Sequence, residues 1–221
     1  MAITIDGSAN TIAGLAVGGL PDGTIDNGCM ADDAIAIADL AATGTPSSST
    51  FLRGDNAWAA AGGGKILQVV STTKTATESN STATGAFWTT GLTRAITPSA
   101  ATSKVWVLGT VSIAPDDTGV GVGAQLVYDS DTVITAATGD AASSRGRATT
   151  QTGNSGSDWV ETLNINYLHS PSTTSEITYK VRIHHTKNGT MILRLNYSAN
   201  DADNNRRLRL VSTLTCVEIG A

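Results

Sequence analysis

Three histidines, several Asp-rich turns and one long polar loop hold most of the side chains in this sequence that could do chemistry. His184 and His185 are adjacent within a run of period-two alternation, Ile177, Tyr179, Val181 and Ile183. Neighbours on a strand point to opposite faces, so the pair cannot jointly chelate a metal from one strand. One of them could meet its symmetry mates on an oligomer axis and hold an ion there; the plainer reading is a packed or solvated strand histidine, as for His169. Asp201-Ala-Asp-Asn-Asn205 begins like a calcium loop, but Arg206 stands where that loop needs glycine and Ser212 where it needs a bidentate Glu. It reads as a polar turn between the last two strands. Asp116 with Asp117, Asp129 with Asp131, and Asp158 with Glu161 could in number supply the two carboxylates of glycoside cleavage. Each lies in or beside a turn, where Asp is favoured for backbone reasons alone. Gly121-Val-Gly123 lies inside a strand pattern with no helix following, so it reads as a bulge or close packing rather than a phosphate cradle. With no P-loop, dinucleotide fingerprint or nucleophile elbow, the expectation is a non-enzyme with no catalytic residues, metal or cofactor.

The loop at 139–159 differs from these. It is long, polar and nearly free of apolar residues, yet it carries Arg145, Arg147 and Trp159. Arg and Trp are the residue types that anchor contacts to glycans and protein surfaces. These three are the candidate recognition residues. The other reading of the loop is a flexible connection, or an Arg pair facing an acidic group on a neighbouring subunit.

The elements that must position such a loop come in two kinds. Residues 1–64 hold seven Asp against one base, Arg53, a net of −6, which leaves +1 for the rest of a chain whose total is −5. An acidic balance argues against nucleic acid as a general partner, because phosphate binding needs clustered Lys and Arg. No basic n-region with an apolar run opens the chain, and no stretch approaches the roughly 20 apolar residues of a membrane span, so synthesis in a cytoplasm without membrane insertion is expected. Cys29 and Cys216 lie far apart, one in each half; free thiols packed as small apolar groups are the simpler reading, and a disulfide between them the other.

Residues 1–64 bury too little alone to offset chain entropy of about 1–2 kcal/mol per residue, but could be ordered if several copies wrapped one axis. Within them, 31–41 have the Ala content and spacing of a short helix with Ile35, Ile37 and Leu40 on one stripe, stopped by Gly44 and Pro46. Ala59 to Gly64, Ala-Ala-Ala-Gly-Gly-Gly, reads as a linker, so the boundary is placed between 1–64 and 65–221. From Lys65 onward β-branched alternation takes over. Val105, Val107, Val111 and Ile113 share one face of 104–113, with Trp106 and Leu108 on the other. Comparable runs occupy 120–128, 163–167, 177–183, 191–197 and 207–219, and Lys187-Asn-Gly-Thr190 is a strong type I′ hairpin signal. Seven or eight antiparallel strands without helices predict a sandwich or jelly roll. Strands apolar on both faces suggest that the second face packs on another subunit; central strands covered on both sides are the alternative.

Several phrases then resemble a known family. Gly44-Thr-Pro-Ser-Ser-Ser-Thr-Phe-Leu-Arg-Gly-Asp55 followed by Trp58 is similar to a motif recurring in phage tail fibres and related virion proteins, with Asn56 where glycine is usual. Ile3-Thr-Ile-Asp-Gly7 and Gly14 to Gly23 resemble fibre N-termini of marine and cyanobacterial phages. Lys65 to Val70, Ile96 to Ser99, Thr178 to Val181 and Leu214 to Gly220 resemble the same family's C-terminal domain. The resemblance implies a homotrimer on the virion exterior: an extended N-terminal stem bound to other virion proteins through residues 1–40, and an outward β-sandwich head. Ile35, Ile37 and Leu40 would pack along the stem, Phe51 and Trp58 at the neck. The head would touch a host glycan or protein. A capsid decoration or head fibre is the alternative, and a glycan-depolymerising tailspike a more distant one, since no solenoid repeat is present.

Overall fold

The alternation at 104–113 persists in three dimensions: Val105, Val107, Val111 and Ile113 are fully buried, while Trp106 keeps 38% of its surface exposed. The computed structural model describes residues 4–6, 11–13, 41–60, 66–154, 156 and 158–220. The predicted helix with Ile35, Ile37 and Leu40 lies outside them, as does Cys29. The chain divides into two units, Met1–Ala61 and Gly62–Ala221.

In the first unit, β1 (Thr4–Asp6) pairs antiparallel with β2 (Thr11–Ala13), and β3 (Thr50–Leu52) with β4 (Trp58–Ala60). The fibre-like phrase forms the second of these hairpins. A parallel bridge joins Thr43 to Ala57, and the Trp58 amide donates to the Thr43 carbonyl at 2.7 Å. Asn56 takes φ +59°, the left-handed conformation that Gly or Asn adopts most readily, so its replacement of glycine leaves the turn intact.

The second unit contains β5 (Ile66–Lys74), β6 (Glu78–Ala83), β7 (Trp88–Ile96), β8 (Lys104–Pro115), β9 (Val120–Tyr128), β10 (Thr132–Val133), β11 (Thr150–Asn154), β12 (Glu161–His169), β13 (Ile177–His185), β14 (Thr190–Leu195) and β15 (Ser212–Ile219), with one 3-10 turn at Thr135–Ala137. One sheet runs β5-β15-β8-β12, with β6 and β14 extending it beside the end of β8. The other runs β7-β13-β9, with β10 and β11 on β9. The chain changes sheet at most of its connections, which is the winding of a jelly roll. Facing side chains, among them Leu92, Val107, Leu126, Val181, Leu193 and Leu214, form one core between the sheets.

Three sequence expectations change. The Lys187–Thr190 turn exists, with Gly189 at φ +94°, but it joins no hairpin. It carries the chain from β13 in one sheet to β14 in the other. A turn signal reports local backbone geometry, and the partner of the strand that follows is chosen by the core. The loop at 139–159 contains an edge strand, β11, whose Thr-Gln-Thr-Gly-Asn sequence has no apolar alternation because it pairs on the rim of β9. The last run begins only at Ser212; Leu208 and Leu210 precede it in non-strand backbone, and Leu208 is 68% exposed. The unit therefore has eleven described strands rather than seven or eight.

One charged group sits wholly inside. Glu218 of β15 is fully buried and accepts from Gln68 Nε2, the Ser99 amide and Ser99 Oγ, each at 2.7 Å. Burial alone would raise its carboxyl, but the hydrogen bonds from Gln68 and Ser99 hold it down to about 2. The Cys216 thiol beside the core is free and fully buried, and burial pushes it up to about 12.

Candidate recognition surfaces

The segment carrying Arg145 and Arg147 roofs the outside of β9. Gln125, which points outward from β9, donates its Nε2 to the Arg147 carbonyl and accepts from Arg182 Nε at 2.8 Å. The Thr149 amide donates to the Ala124 carbonyl at 2.7 Å, and Thr149 Oγ1 accepts from the Leu126 amide. Arg147 closes the loop on itself: its Nε donates to the Gly139 carbonyl at 2.5 Å and its Nη2 to that of Thr135 at 3.4 Å. Arg145 is exposed, and among the described residues its guanidinium has no partner. On either side of it, Ser144 and Gly146 line a cleft with Phe87, His184 and Thr186. Here the Arg182 guanidinium lies 4.4 Å from the Phe87 ring centre and the His184 ring 4.6 Å from it. Gly123 is the floor that permits this: a Cβ there would sit 2.7 Å from His184 Nε2. The close-packing reading of Gly121-Val-Gly123 thus has its cause. Burial lowers the His184 pKa, favouring the neutral ring.

His185 points the other way, inward, and its Nε2 lies 2.8 Å from the Thr82 carbonyl. His169 Nδ1 meets the Tyr179 hydroxyl at 2.7 Å. Among the described residues no three His, Cys, Asp or Glu side chains come together. Most of the carboxylates weighed for chemistry are engaged in hydrogen bonds or ion pairs. Asp117 pairs with Lys187 and accepts from the Thr118 amide. Asp129 accepts from the Thr178 amide at 2.9 Å, and Asp131 from Thr89 Oγ1 at 2.7 Å while pairing with Lys180 at 3.3 Å. Asp201 pairs with Arg209 and Asp158 with Arg207.

Trp159 belongs to a different place. It precedes β12, is 66% exposed, and lines a notch with Asp158, Ser198, Arg206, Leu208 and Leu210. The segment at 196–211 is held there by Asn196, itself in the left-handed region at φ +67° and buried. Its Nδ2 donates to the carbonyls of Lys74 and Ala76, its Oδ1 accepts from Ser212 Oγ at 2.6 Å, and its carbonyl accepts from the Leu210 amide. The Arg207–Asp158 pair at 2.9 Å ties this segment to the turn before Trp159. An exposed indole beside Leu208 and Arg206 presents an apolar plate with charged and hydroxyl groups at its edge, suited to the flat face of a sugar or to a protein side chain. The sequence picked Trp159 but grouped it with Arg145 and Arg147. Its actual neighbours, Arg206 and Leu208, lie about fifty residues on, and no local signal joins them.

In the first unit, Phe51 is 49% and Leu52 38% exposed on β3, while Trp58 is half-buried opposite Leu52.

No protein-family model matches this chain, and no curated protein is similar to it. Solved structures with a partial likeness are the derived T=1 particles of infectious bursal virus (16% identity, TM-score 0.39, covering 74% of this chain and 39% of that one), the VP2 subviral particle of infectious bursal disease virus (14%, 0.39, 74% and 40%) and the Gx strain of that virus (15%, 0.38, 74% and 39%). The chain thus spans about two fifths of the length of those proteins.

Proposed function

We propose that this chain is a non-enzymatic structural protein of a virion: a short homotrimeric phage tail fibre with an anchoring stem at 1–64 and a jelly-roll head at 65–221 that contacts the host surface. The observation that carries the reading is apolar surface that the chain leaves uncovered. Phe51 and Leu52 stand exposed on a hairpin of three-residue strands, and Ile66, Val69 and Leu168 stand exposed on the sandwich. Surface of this kind marks a site of association. That the exposed hairpin is also the fibre-like phrase supports a neck where copies meet. Ile35, Ile37 and Leu40 would pack around the stem axis, and residues 1–40 would bind other virion proteins. Three heads would present the Trp159 notch and the Arg145 loop in triplicate, so weak contacts to a glycan or protein gain avidity.

The second reading is a capsid decoration or head fibre, favoured by the strand order, since jelly rolls also build viral shells. Both readings place the protein on the virion exterior after synthesis in the host cytoplasm. An antibody against residues 65–221, applied to intact particles and viewed by electron microscopy, separates them. Label at the tail tip is the expected result, label spread over the head replaces the fibre with a decoration protein, and unlabelled particles overturn both. Trp159→Ala is then expected to slow adsorption about tenfold, the effect of losing one anchor of about 1.4 kcal/mol. Unchanged adsorption would remove Trp159 from the contact.

A further inference from the structure

We infer that the outward face of β5, β15, β8 and β12 is the surface on which a second copy of this chain packs, with Trp106 at its centre. The inference rests on the assembled-fibre reading and deepens it by naming the face. The ladder registers set the side chains of this face in rows. Trp106 lies opposite Leu168 of β12 on one side and Val217 of β15 on the other, and Val217 lies opposite Val69 of β5. The four make one apolar row across four strands, in which Trp106, Leu168 and Val69 are exposed and Val217 is buried between them, and the row is extended at its end by Ile66, 64% exposed, and Leu67, 41% exposed. Next comes Asn166–Leu108–Thr215–Ser71, then Asn164–Thr110–Thr213–Thr73. Lys104, at the margin, is the only charged residue at the outward positions of these strands.

Several of the polar groups on this face bond to one another. Trp106 Nε1 donates to Asn166 Oδ1 at 2.7 Å, Thr110 and Thr213 share a hydroxyl bond at 2.8 Å, and Ser71 and Thr215 one at 2.9 Å. A group already paired in its own sheet loses little when water is removed, whereas an unpaired one costs about 1–3 kcal/mol. These pairs can be buried without bonds from a partner, while Asn164, Thr73 and Asn166 Nδ2 are left to bond across the contact. The face argues against an oppositely charged protein, because almost no charge is present to complement one. A neutral sheet with one apolar row beside partly paired polar rows suits another copy of itself, the more so since a chain of net charge −5 would repel its twin through any charged face. At about 4.8 Å between strands and 3.3 Å per residue, the face spans roughly 400 Å². That is about half of what one partner buries in a standard interface, roughly 800 Å², which puts the contact among the small, readily dissociated ones.

The test is the assembly state of the full chain by sedimentation velocity across a dilution series, with circular dichroism as the check on folding. Val69→Lys and Leu168→Asp change exposed positions at opposite edges of the apolar row, and Thr215→Lys repeats the test in the polar half should either fail to fold. Ile192→Asp on β14 charges an exposed apolar residue outside the face. The expected result is an assembled native chain whose dissociation midpoint rises at least tenfold in the face variants and stays put in the Ile192→Asp control. A monomeric native chain, folded face variants as assembled as the native chain, or a control that dissociates equally would overturn the inference. Assembly through this face by a protein missing from particles would sink the virion reading and leave the interface standing. A particle-borne protein whose face variants stay assembled would do the reverse.

Discussion

The two sheets of the sandwich share one core yet treat their outer faces in opposite ways. Outside β9 and β13 the chain builds its own roof. Gln125 and Arg182 reach outward and are bonded to each other, and Gln125 also holds the loop above it. Even Val127, on the outward side of β9, is fully buried. Outside β8 and β15 the segment at 196–211 covers only one end, where Ser112 donates its hydroxyl to the Val211 carbonyl and is 3% exposed. Farther along the face Trp106 and Thr110 stay exposed, while Leu108 is half-buried and Val217 buried. Where the chain roofs a face, polar side chains cross the gap and tie the roof down. Where it does not, several of them pair sideways within the sheet. Groups paired sideways can be covered without bonds from above, which is the physical basis of the inferred contact between copies.

The comparison can be broken or sharpened by substitution. The largest effect belongs to the shared inner layer: Leu214→Ala should lower unfolding stability by about 2–5 kcal/mol in urea, because it opens a cavity between both sheets. A loss below about 1 kcal/mol would mean that the sheets do not depend on one core. Gln125→Ala removes the tie between roof and sheet and should cost about 1–3 kcal/mol. Amide exchange should quicken at Gly139 and Thr149, whose amides bond to the Ala148 and Ala124 carbonyls, and stay unchanged along β12. Equal quickening in both sheets would dissolve the distinction. The smallest effect is a pH dependence confined to the open sheet. The Glu218 carboxyl titrates at about 2 in the folded chain, below the roughly 4.3 of an unfolded Glu. The lowered value contributes stability that is complete above about 4.3 and is lost as pH falls toward 2. Glu218→Gln should flatten that part of the stability profile, measured as the thermal midpoint from pH 6 downward; an unchanged slope would assign it to other carboxylates.

Much of the sandwich was legible in the chain because half-buried strands write their period into it. Val105 to Ile113, Leu163 with Ile165, and Ile177 to Ile183 alternate, and their inward members are buried. Trp106 and Leu108 betrayed a second apolar face by the same rule. What could not be read followed from pairing at a distance. β11 has no alternation because the rim of a sheet imposes none. Lys187 to Thr190 specify a turn but not the sheet to which the next strand goes. Arg147 looked available for recognition, yet it closes its own loop onto carbonyls eight and twelve residues away.

Local pattern thus carried the β character, the inward faces of most strands and the turn between β3 and β4, all of which depend on residues within a few positions of one another. Only the tertiary structure decided that Trp159 stands with Arg206 and Leu208 rather than with Arg145. It also decided that Leu168, Trp106, Val217 and Val69 form one row and that one outer face is roofed while the other leaves Leu168, Trp106 and Val69 exposed. Those outcomes depend on which strands lie side by side, and that is set by burial of the common core, to which every strand contributes and which no single stretch encodes.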